Sequence, residues 1–520
     1  MRIEKKSSIS HLKTNNKSVS VMSDAIKSEI KESLLPYEFV KSRQIIAFQE
    51  NGHCLVLSTS PINLNTYHEL SRYIGQDLKL EDCDPETFDQ LITQVFSGEN
   101  ESSILSEELG DAFDLKSFAN SIAPTEDLLS GSNDAPIIKL INGIISQAIK
   151  QRASDIHFEP YEDSFIIRFR IDGILKIVLS QDARIAPIVI SRIKILSRLD
   201  ISERRLPQDG RVSLSLGKKN VDVRVSTLPS SYGERIVLRL LDKQSSQINI
   251  DELGLNQSTL SDLKKTLKAT EGMILVTGPT GSGKTTTLYA SIRHINDQSQ
   301  NILTVEDPIE YTLKGIGQTQ VNSKSGYDFS TGLRSILRQD PDIVMLGEIR
   351  DEETARIAIQ ASLTGHLVLS TVHTNSAVGA ITRLRDMGIE SYLLASSIKT
   401  IIAQRLVRRL CESCKASGKI SETDASLLGL EASEMVFLPN GCSVCDGNGY
   451  QGRIAIAESV AIDTEMRNLI HGEASEQELQ KFAFKNRDSI HEIGADLIRT
   501  GVTSVNEIIR LNNQAEDASI

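Results

Sequence analysis

The stretch GPTGSGKTTT, residues 278–287, matches the phosphate-binding pattern G-x-x-x-x-G-K-[ST]. The apolar run MILVT precedes it and a helical pattern follows it, which is the strand, loop and helix context that this motif requires. Its glycines allow backbone N–H groups to turn toward phosphate oxygens, a lysine reaches the β- and γ-phosphates, and a threonine holds Mg²⁺. The stretch therefore predicts a nucleoside triphosphate site made of Gly278, Pro279, Thr280, Gly281, Ser282, Gly283, Lys284, Thr285 and Thr286, with Thr285 as the Mg²⁺ ligand.

Apolar strand patterns continue after this loop and alternate with helical patterns from about residue 250 onward. The runs MILVTG, NILTVED, DIVMLGE and LVLSTVH have the composition of buried parallel strands joined by helical crossovers. We therefore expect an α/β domain with a parallel sheet, and its ligand site should lie at the carboxyl ends of the strands.

Ionisable side chains follow three of these strands, at the edge where the ligand is expected. Hydrolysis requires a carboxylate near the metal ion and a group that orients the attacking water. We predict that Glu348 and Glu306, which end two of the runs, supply these groups. A structural ion pair between Glu348 and Arg350 is the alternative. His373 ends a third run and is a candidate sensor of the γ-phosphate, with His366 as the second candidate.

Four of the six cysteines form two C-x-x-C pairs, and 27 residues separate the pairs. Four thiolates at this spacing are typical of a closed tetrahedral zinc site with no open position for chemistry. Glycines next to the second pair suit the tight turns of such a site. We predict a structural zinc ion bound by Cys411, Cys414, Cys442 and Cys445.

Two hairpins and two helices are predicted upstream of the nucleotide motif. A helical stripe begins at Ile137, and a second helical pattern lies in IVISRIKILSRL. FIIRFRIDGILKIVL alternates and turns at Asp172 and Gly173, and RVSLSLGKKNVDVRVSTLP forms the second hairpin. Period-two alternation places Arg211 and Arg224 on the face of that hairpin opposite its core.

The first hundred residues predict a small α+β domain with a hairpin turn at Asn51 and Gly52. An acidic stretch rich in Ser, Gly and Asn follows and predicts a linker with one short helix. The polar amino terminus lacks the apolar stretch of a secretory signal, and no run approaches about 18 apolar residues. The net charge of −12 disfavours broad binding to nucleic acid, because neutralising phosphates requires a surplus of Lys and Arg.

Together, these motifs resemble the secretion ATPases that power type II secretion and type IV pili. The resemblance is carried by GPTGSGKTTTLY, EDPIEY, LRQDPDIVMLGEIRD, TGHLVLSTVHTN and the paired C-x-x-C, and upstream by DAPIIKLINGIISQAIKQRASDIHFEP, RLPQDGR and STLPSSYGERIVLRLL. It covers residues 136–520. Further upstream, LPYEFVKSRQIIAFQENG and the linker ending in EDLLSGSNDAPI are most similar to the type II secretion branch of the family.

The resemblance implies a fold class and a domain organisation. It implies an α/β chain in which a RecA-like P-loop NTPase domain follows a PAS-like α+β domain and a small α+β amino-terminal domain. The implied boundaries are residues 1–105 for a platform-docking domain, 106–135 for a linker, 136–245 for the PAS-like domain and 246–520 for the RecA-like domain. The four-cysteine zinc-binding insertion occupies about residues 405–452 of the last domain.

Roles for individual nucleotide-domain residues also follow from the resemblance. Lys284 and Thr285 would be the Walker A lysine and its magnesium ligand, and Glu348 the Walker B glutamate. Glu306 would be the glutamate of the family's Asp box, and His373 the histidine of its His box.

Three arginines of the middle domain lie in motifs where the family places phosphate-contacting residues. They are Arg211, Arg224 and Arg239. The alternation argument agrees for the first two, since it places them away from the core of their hairpin. An arginine inserted into the site of another NTPase contributes about 10³ to 10⁵ in rate, so these side chains are candidates for coupling domain closure to hydrolysis. The alternative is that they are ordinary solvated arginines.

The function implied by the resemblance is a cytoplasmic ATPase motor, peripheral to the inner membrane, that uses ATP and Mg²⁺ and carries Zn²⁺. It would form a homohexamer, dock on an inner-membrane platform protein and drive a pseudopilus for protein export, with no nucleic-acid partner. A type IV pilus assembly ATPase shares all these motifs and differs only in the first domain. Two further hypotheses are a RecA-like motor that translocates or takes up nucleic acid, and a P-loop switch or small-molecule kinase.

Overall fold

The structure is a computed structural model that describes residues 33–35, 40, 43–50, 53–62, 64–76, 78–84, 87–88, 115–121, 135–216, 219–241 and 248–517. The described residues separate into two compact units. The first draws on Met1–Phe118, Asp134–Gly143 and Leu214–Asn220. The second draws on Ala119–Asn133, Ile144–Ser213 and Val221–Ile520, and it contains the predicted nucleotide site.

The first unit contains a three-stranded sheet. Its elements are β1 (Ile45–Glu50), β2 (His53–Ser58), α1 (Leu64–Ile74) and β3 (Leu78–Asp82). β1 and β2 form the predicted hairpin, and their antiparallel register ends at the pair Glu50 and His53. The predicted turn residues Asn51 and Gly52 lie outside the described residues. β3 pairs with β2 in parallel, so α1 provides the crossover that a parallel pair requires.

Two helices follow along the chain. α2 (Leu115–Ser121) is a short helix within the stretch that the sequence predicts to be a linker. α3 (Ala135–Lys150) confirms the helical stripe and begins two residues before the predicted start. Ile141, Ile144 and Ala148 of this stripe are buried. A period of 3.6 residues therefore describes this segment well.

A six-stranded sheet forms the middle of the chain. Its elements are β4 (Ala153–Pro160), β5 (Ser164–Ile171), β6 (Ile174–Asp182), α4 (Ala186–Leu196), β7 (Gln208–Leu216), β8 (Lys219–Ser230) and β9 (Gly233–Leu241). The strand order is β6-β5-β4-β9-β8-β7. β4, β5, β6, β8 and β9 pair in an antiparallel manner, and α4 packs on β9.

Both hairpins of this sheet agree with the sequence patterns. Asp172 and Gly173 have φ of 48° and 86°, so both turn residues lie in the left-handed region that a two-residue hairpin favours. In the second hairpin Val223 and Val225 are buried, and Arg224 between them is only half-buried. Arg211 is exposed on β7. The alternation that placed the two arginines away from the core is confirmed.

The remaining residues form an α/β domain. Its first elements are α5 (Gln257–Thr266), β10 (Gly272–Thr277), α6 (Lys284–Ile295), β11 (Ile302–Glu306), β12 (Gly317–Gln320), α7 (Phe329–Ile336), β13 (Ile343–Leu346), α8 (Glu352–Leu363), β14 (Leu367–Val372), α9 (Gly379–Asp386), α10 (Ser391–Ser397) and β15 (Ile398–Leu410). The six strands pair in parallel in the order β12-β11-β13-β14-β10-β15. The predicted parallel sheet is confirmed, and all carboxyl ends lie at one edge.

Helices cover both faces of this sheet, so its strands are buried on both sides. Met273 and Leu275 of β10 enter one apolar core, whereas Ile274 and Val276 enter the other. The second core also contains Leu288 of α6. Continuous apolar runs, rather than alternating ones, are what such strands require.

The last part of the chain adds an antiparallel strand and the cysteine insertion. Its elements are β16 (Ala416–Lys419), α11 (Glu422–Leu428), β17 (Met435–Leu438), β18 (Tyr450–Ala461), α12 (Thr464–His471), α13 (Glu476–Ala483), α14 (Ile490–Arg499) and α15 (Val505–Asp517). β18 pairs antiparallel with β15, so the seven-stranded sheet is mixed at this edge. β16 and β17 form a separate two-stranded sheet between the two cysteine pairs.

Across the described residues, no helix combines the length and the apolar character that crossing a bilayer demands.

Candidate functional site

The phosphate-binding loop begins where β10 ends and stops where α6 begins. Gly278 and Gly283 have φ of 145° and 88°, in the region that side-chain-bearing residues rarely adopt. A Cβ on Gly278 would lie 2.3 Å from the backbone carbonyl oxygen of Gln404, which cannot swing away. The first N–H groups of a helix have no intrahelical partner and carry partial positive charge. The loop therefore has the shape and the charge of a phosphate cradle.

Lys284 is the first residue of α6, and its ammonium group is turned into the loop. The residue is 9% exposed, and Nζ donates to the carbonyl oxygens of Gly278 at 2.8 Å and Pro279 at 3.1 Å. Burial lowers the pKa of Lys284 to about 8, although the negative charge of Glu348 opposes this change. Thr285 follows with an exposed side chain. A cation and an accessible hydroxyl at these positions fit a triphosphate with its Mg²⁺ ion.

Glu348 and His373 are brought together by the sheet. Nε2 of His373 lies 3.1 Å from Oε2 of Glu348, and Arg350 forms an ion pair with the other carboxylate oxygen. The pairing with Arg350 that was the structural alternative is thus present, together with the contact to His373. The Glu348 side chain is 16% exposed, whereas that of His373 is 48% exposed. Two neighbours therefore orient a carboxylate that solvent still reaches.

The strand order explains why His373 and Glu348 lie close together. β14 lies between β10 and β13, so the loop that carries His373 separates the phosphate-binding loop from Glu348. His366 precedes β14 and lies at the amino-terminal edge of the sheet, where Nδ1 is 3.0 Å from the carbonyl oxygen of Ala361. The second histidine candidate is therefore at the edge opposite the phosphate loop.

Glu306 is the last residue of β11 and is 2% exposed. Its Oε1 accepts from Thr304 Oγ1 at 2.5 Å and from Gln318 Nε2 at 3.0 Å. The hydroxyl of Tyr289, on α6, donates to Oε2. Thr304 lies on β11 itself and Gln318 on β12, so the Tyr289 contact is the one of these three that ties β11 to the helix after the phosphate loop. The exposed neighbour of Glu306 is Asp307. The catalytic role of Glu306 stays a prediction.

Arg211 contacts the nucleotide domain directly, since its Nη2 donates to the carbonyl oxygen of Ile309 at 3.2 Å. That carbonyl belongs to the segment after β11. Arg239 instead pairs with Asp155 in the middle sheet, with Nε 3.0 Å from Oδ1, and Arg224 lies opposite Arg239 in the β8 and β9 register. In the part of the chain that the structure describes, neither Arg224 nor Arg239 makes a polar contact with the phosphate loop.

Several residues that support the site were missed by sequence reasoning. Thr277 donates to the carbonyl oxygen of Val372 at 3.0 Å and accepts from the N–H of Thr374 at 3.0 Å, which joins β10 to the loop after β14. Gln404 and Arg405 are buried polar residues of β15. The signal for this pair was present, because two polar residues interrupt the otherwise apolar run IIAQRLV.

The four-cysteine cluster has the geometry of a zinc site. The four Sγ atoms lie within 4.8 Å of one another. Three of the edges between them measure 3.9 Å (Cys411 to Cys442), 3.7 Å (Cys414 to Cys445) and 3.8 Å (Cys442 to Cys445). Zinc–sulfur bonds of about 2.3 Å in a tetrahedron give sulfur–sulfur edges of about 3.8 Å. The donor set and its spacing therefore fit one Zn²⁺ ion.

Backbone N–H groups donate hydrogen bonds to two of the four cysteine sulfur atoms. The N–H of Gly441 donates to Cys414 Sγ, and those of Cys442 and Gly449 donate to Cys445 Sγ, each at 3.2 Å. Desolvation raises the pKa of Cys445, but the donors at Cys442 and Gly449 outweigh it and lower that pKa to about 6. Desolvation instead raises the pKa of Cys414 to about 11. A cluster of four cysteine sulfurs with no open coordination position indicates a structural role.

Comparisons with known proteins agree with this architecture. A family model described as Type II/IV secretion system protein matches residues 130–510, and one described as a domain of GSPII protein E matches residues 34–96. Type II secretion system protein E of Pseudomonas aeruginosa is 48% identical over 483 residues, which cover 92% of this chain and 96% of that protein. Type II secretion system ATPase E of Vibrio cholerae is 45% identical over 501 residues, which cover 95% and 99%.

A solved structure supports the fold alone. The X-ray structure of the ATPase DotB of Legionella pneumophila matches with a TM-score of 0.54 at 20% identity. The match covers 72% of this chain and 95% of the DotB chain.

Proposed function

This chain belongs to the type II/IV secretion system protein family, and we propose that it is the ATPase motor that powers type II protein secretion. Hydrolysis of ATP would drive assembly of a pseudopilus that moves proteins across the outer membrane. The observation that carries the proposal is the Glu348 carboxylate, which His373 and Arg350 orient at the same sheet edge as the phosphate loop. Family membership indicates that protein secretion is the process that the chain powers, and this geometry indicates that ATP hydrolysis is the reaction.

Each residue of the site has one part in the proposed reaction. Backbone N–H groups of the loop and the Lys284 ammonium bind the β- and γ-phosphates and neutralise charge that develops as the bond to the β-phosphate oxygen breaks. Glu348 orients the water whose oxygen forms the new bond to the γ-phosphorus, and His373 holds the carboxylate in place. Mg²⁺ held at Thr285 would add positive charge beside the phosphates. The products are ADP and orthophosphate.

Arg211 supplies a route from the middle domain to this site. Its contact with the Ile309 carbonyl lies just beyond Glu306 and Asp307, the end of a site strand. A rotation of the middle sheet would move Arg211, and with it Arg224 and Arg239, relative to the nucleotide. We infer that these arginines link domain closure to hydrolysis.

The binding partners, the oligomeric state and the cellular location of the chain are also part of the proposal. Residues 1–105 would dock on an inner-membrane platform protein and keep a cytoplasmic homohexamer at the membrane surface. The separate family match at residues 34–96 supports a distinct role for this part. The cysteine cluster, with Zn²⁺ bound, would act as a scaffold and take no part in the chemistry. No nucleic-acid partner is proposed, since the net charge is −12.

A Glu348→Gln variant tests the chemistry. The amide keeps the size of the side chain but loses the charge that orients the water, so we expect ATP hydrolysis to fall by about 10²- to 10³-fold with nucleotide binding retained. Protein secretion should stop in cells that carry only this variant. The matched control is Glu353→Gln, because Glu353 is exposed and its ion pair with the exposed Arg334 contributes little. Normal hydrolysis by Glu348→Gln would overturn the proposal.

Capture of the full-length chain from detergent-solubilised inner membranes tests the client. A type II secretion platform protein among the bound proteins is the expected result. Capture of a pilus platform protein would leave the proposed reaction unchanged but would indicate that it powers pilus assembly. DNA-stimulated hydrolysis that weakens with salt would instead indicate a nucleic-acid motor.

A further inference from the structure

Gln404 is a buried polar residue of β15 that contacts the phosphate loop. It is 3% exposed, and β15 pairs in parallel with β10, the strand that leads into the loop. Thr277, the last residue of β10, is level with Ala403 in this register, and the next residues of the two segments, Gly278 and Gln404, lie close together. β15 contains none of the nucleotide-binding motifs, so nothing in those motifs gives Gln404 a role.

Both polar atoms of the Gln404 side-chain amide form hydrogen bonds. Nε2 donates to the carbonyl oxygen of Ser282 at 2.9 Å, and Oε1 accepts from the hydroxyl of Thr287 at 2.7 Å. Ser282 belongs to the phosphate loop, and Thr287 belongs to the first turn of α6. A neutral amide offers a donor and an acceptor side by side at this length. A carboxylate would lose the donor, and an apolar side chain would lose both.

The contact with Ser282 sets the direction of a phosphate-binding group. In a trans peptide the C=O and the following N–H point in opposite directions. Holding the Ser282 carbonyl toward Gln404 therefore turns the Gly283 N–H away from Gln404. Loop N–H groups that point inward are the ones that bind phosphate oxygens.

The loop also rests closely on β15. A Cβ on Gly283 would lie 2.8 Å from Nε2 of Gln404, and one on Gly278 would lie 2.3 Å from its backbone oxygen. Both loop glycines are therefore pressed against one residue of β15. That residue supports the loop by contact as well as by hydrogen bonds.

We propose that Gln404 is a positioning residue for nucleotide binding, which fixes the Ser282–Gly283 peptide so that its N–H faces the triphosphate. The inference rests on the proposed function, because it assigns Gln404 a role in the binding of ATP. Gln404 does not touch the reacting atoms, and Glu348 and His373 follow other strands. Its loss should therefore weaken nucleotide binding more than it slows the chemical step.

The first variant is Gln404→Met, which keeps the length of the side chain and removes both hydrogen bonds. We expect the KM for ATP and the Kd for Mg-ADP to rise about tenfold, because the loop carbonyl is left without its donor. The kcat should stay within about threefold of the wild-type value, which is the signature of lost uniform binding.

The second variant, Gln404→Glu, gives a readout that a purely structural role would not produce. A buried carboxyl has a raised pKa, and in its protonated form it can donate to the Ser282 carbonyl. The ratio of its KM to the wild-type KM should therefore fall as the pH is lowered from about 8.5 to about 6. The same ratio for Gln404→Met should not change. If Gln404→Met fails to fold, this pH dependence decides the question.

Thr400→Val is the matched control, because Thr400 lies on the same face of β15 and is also buried. Its Oγ1 hydrogen-bonds Thr266 Oγ1 at 2.7 Å, away from the phosphate loop. This variant should lower the thermal midpoint to a similar extent and leave the KM unchanged.

Three results would contradict the inference. A KM for Gln404→Met within about twofold of wild type would overturn it, as would a ratio for Gln404→Glu that does not depend on pH. A wild-type chain that binds no ATP would overturn the proposed function and this inference together. Either of the first two results, obtained while the wild-type chain hydrolyses ATP, would overturn this inference alone.

Discussion

The nucleotide site takes its side chains from the ends of several strands, whereas the cysteine cluster takes all of its ligands from two short turns. Lys284, Glu348 and His373 follow β10, β13 and β14, and only the strand order brings them together. Each cysteine pair is local in sequence, and a single ion can join the two pairs. A side chain on a preformed sheet can be removed without unfolding the sheet, but a ligand of a structural metal cannot be removed without loss of the binding free energy.

β15 connects the two regions and makes the comparison testable. It carries Gln404 at the phosphate loop and leads directly into Cys411. Between them, Arg408 forms an ion pair with the buried Glu507 at 2.7 Å and lies 3.8 Å from the centre of the Tyr450 ring. A structural change at the cysteine cluster can therefore reach the phosphate loop along β15, the segment that joins Gln404 to Cys411.

The largest effect is expected from Cys411→Ser. Metal binding contributes on the order of 10 kcal/mol to the folding of small zinc domains, and the variant loses one of four ligands. Elemental analysis should find about one zinc ion per wild-type chain and little in the variant, with a lower thermal midpoint. Cys83→Ser is the control, since Cys83 lies in the first unit and should keep the zinc. An ATP affinity reduced more than about tenfold in folded Cys411→Ser would show that the two regions are coupled.

Lys284→Ala should produce the next largest effect. If the ammonium group binds the phosphates as proposed, its removal should reduce kcat/KM by about 10³-fold, or about 4 kcal/mol of transition-state stabilisation. The thermal midpoint should hardly change, because a buried charge is replaced by an apolar group. Lys265→Ala, at an exposed position of α5, is the control for loss of a lysine. Unfolding of Lys284→Ala would contradict the contrast between the two regions.

A smaller effect concerns the pH dependence of the nucleotide site. Burial lowers the pKa of Lys284 to about 8, so the ammonium form that attracts phosphate is present below that pH and is lost above it. Because kcat/KM reports the free enzyme, it should fall by about tenfold per pH unit above about pH 8. Lys284→Arg should show no such fall, because a guanidinium stays charged. A wild-type profile that stays flat to about pH 9.5 would contradict the burial argument.

The smallest effect is expected from Thr277→Val, which removes the hydrogen bonds between β10 and the loop after β14. The loss should lower the free energy of unfolding by about 1 kcal/mol. It should also lower kcat by about two- to fivefold, because Thr374 follows His373 directly and a hydrogen bond of about this strength holds it. Thr259→Val is the control, since Thr259 is also buried and donates to a carbonyl at 3.2 Å away from the site. Equal kcat values for the two variants would exclude a positioning role for Thr277.

Local patterns predicted much of this molecule. Periodicity correctly placed the strand before the phosphate loop, the four residues of β13 and the hairpin turn at Asp172. Spacing correctly predicted that the four cysteines cluster. Each depends on residues that are close in sequence. The position of β14 between β10 and β13 could not be read in this way, because strand order depends on how crossovers pack over the whole sheet.

Side-chain partners from distant segments also escaped the sequence. The sequence places Glu306 at the edge of the ligand site, and only the structure shows that Gln318 and Tyr289, 12 and 17 residues away, donate to its carboxylate. The motifs group Arg239 with Arg211, and only the structure shows the ion pair that Arg239 forms with Asp155 in its own sheet. A strand-end position fixes where a side chain begins, but the nearest donor or charge determines where it points.

The phosphate-loop motif, the buried parallel strands and the four-cysteine cluster could be read from the amino-acid chain, because each depends on short-range requirements of backbone geometry or on the spacing of the cysteine pairs. Only the folded molecule shows that His373 lies beside Glu348, that Gln404 supports the phosphate loop, and that Arg211 reaches the segment after β11. These contacts join residues 25, 122 and 98 positions apart. They exist because packing helices on both faces of one sheet leaves a single arrangement in which the buried polar groups find their partners.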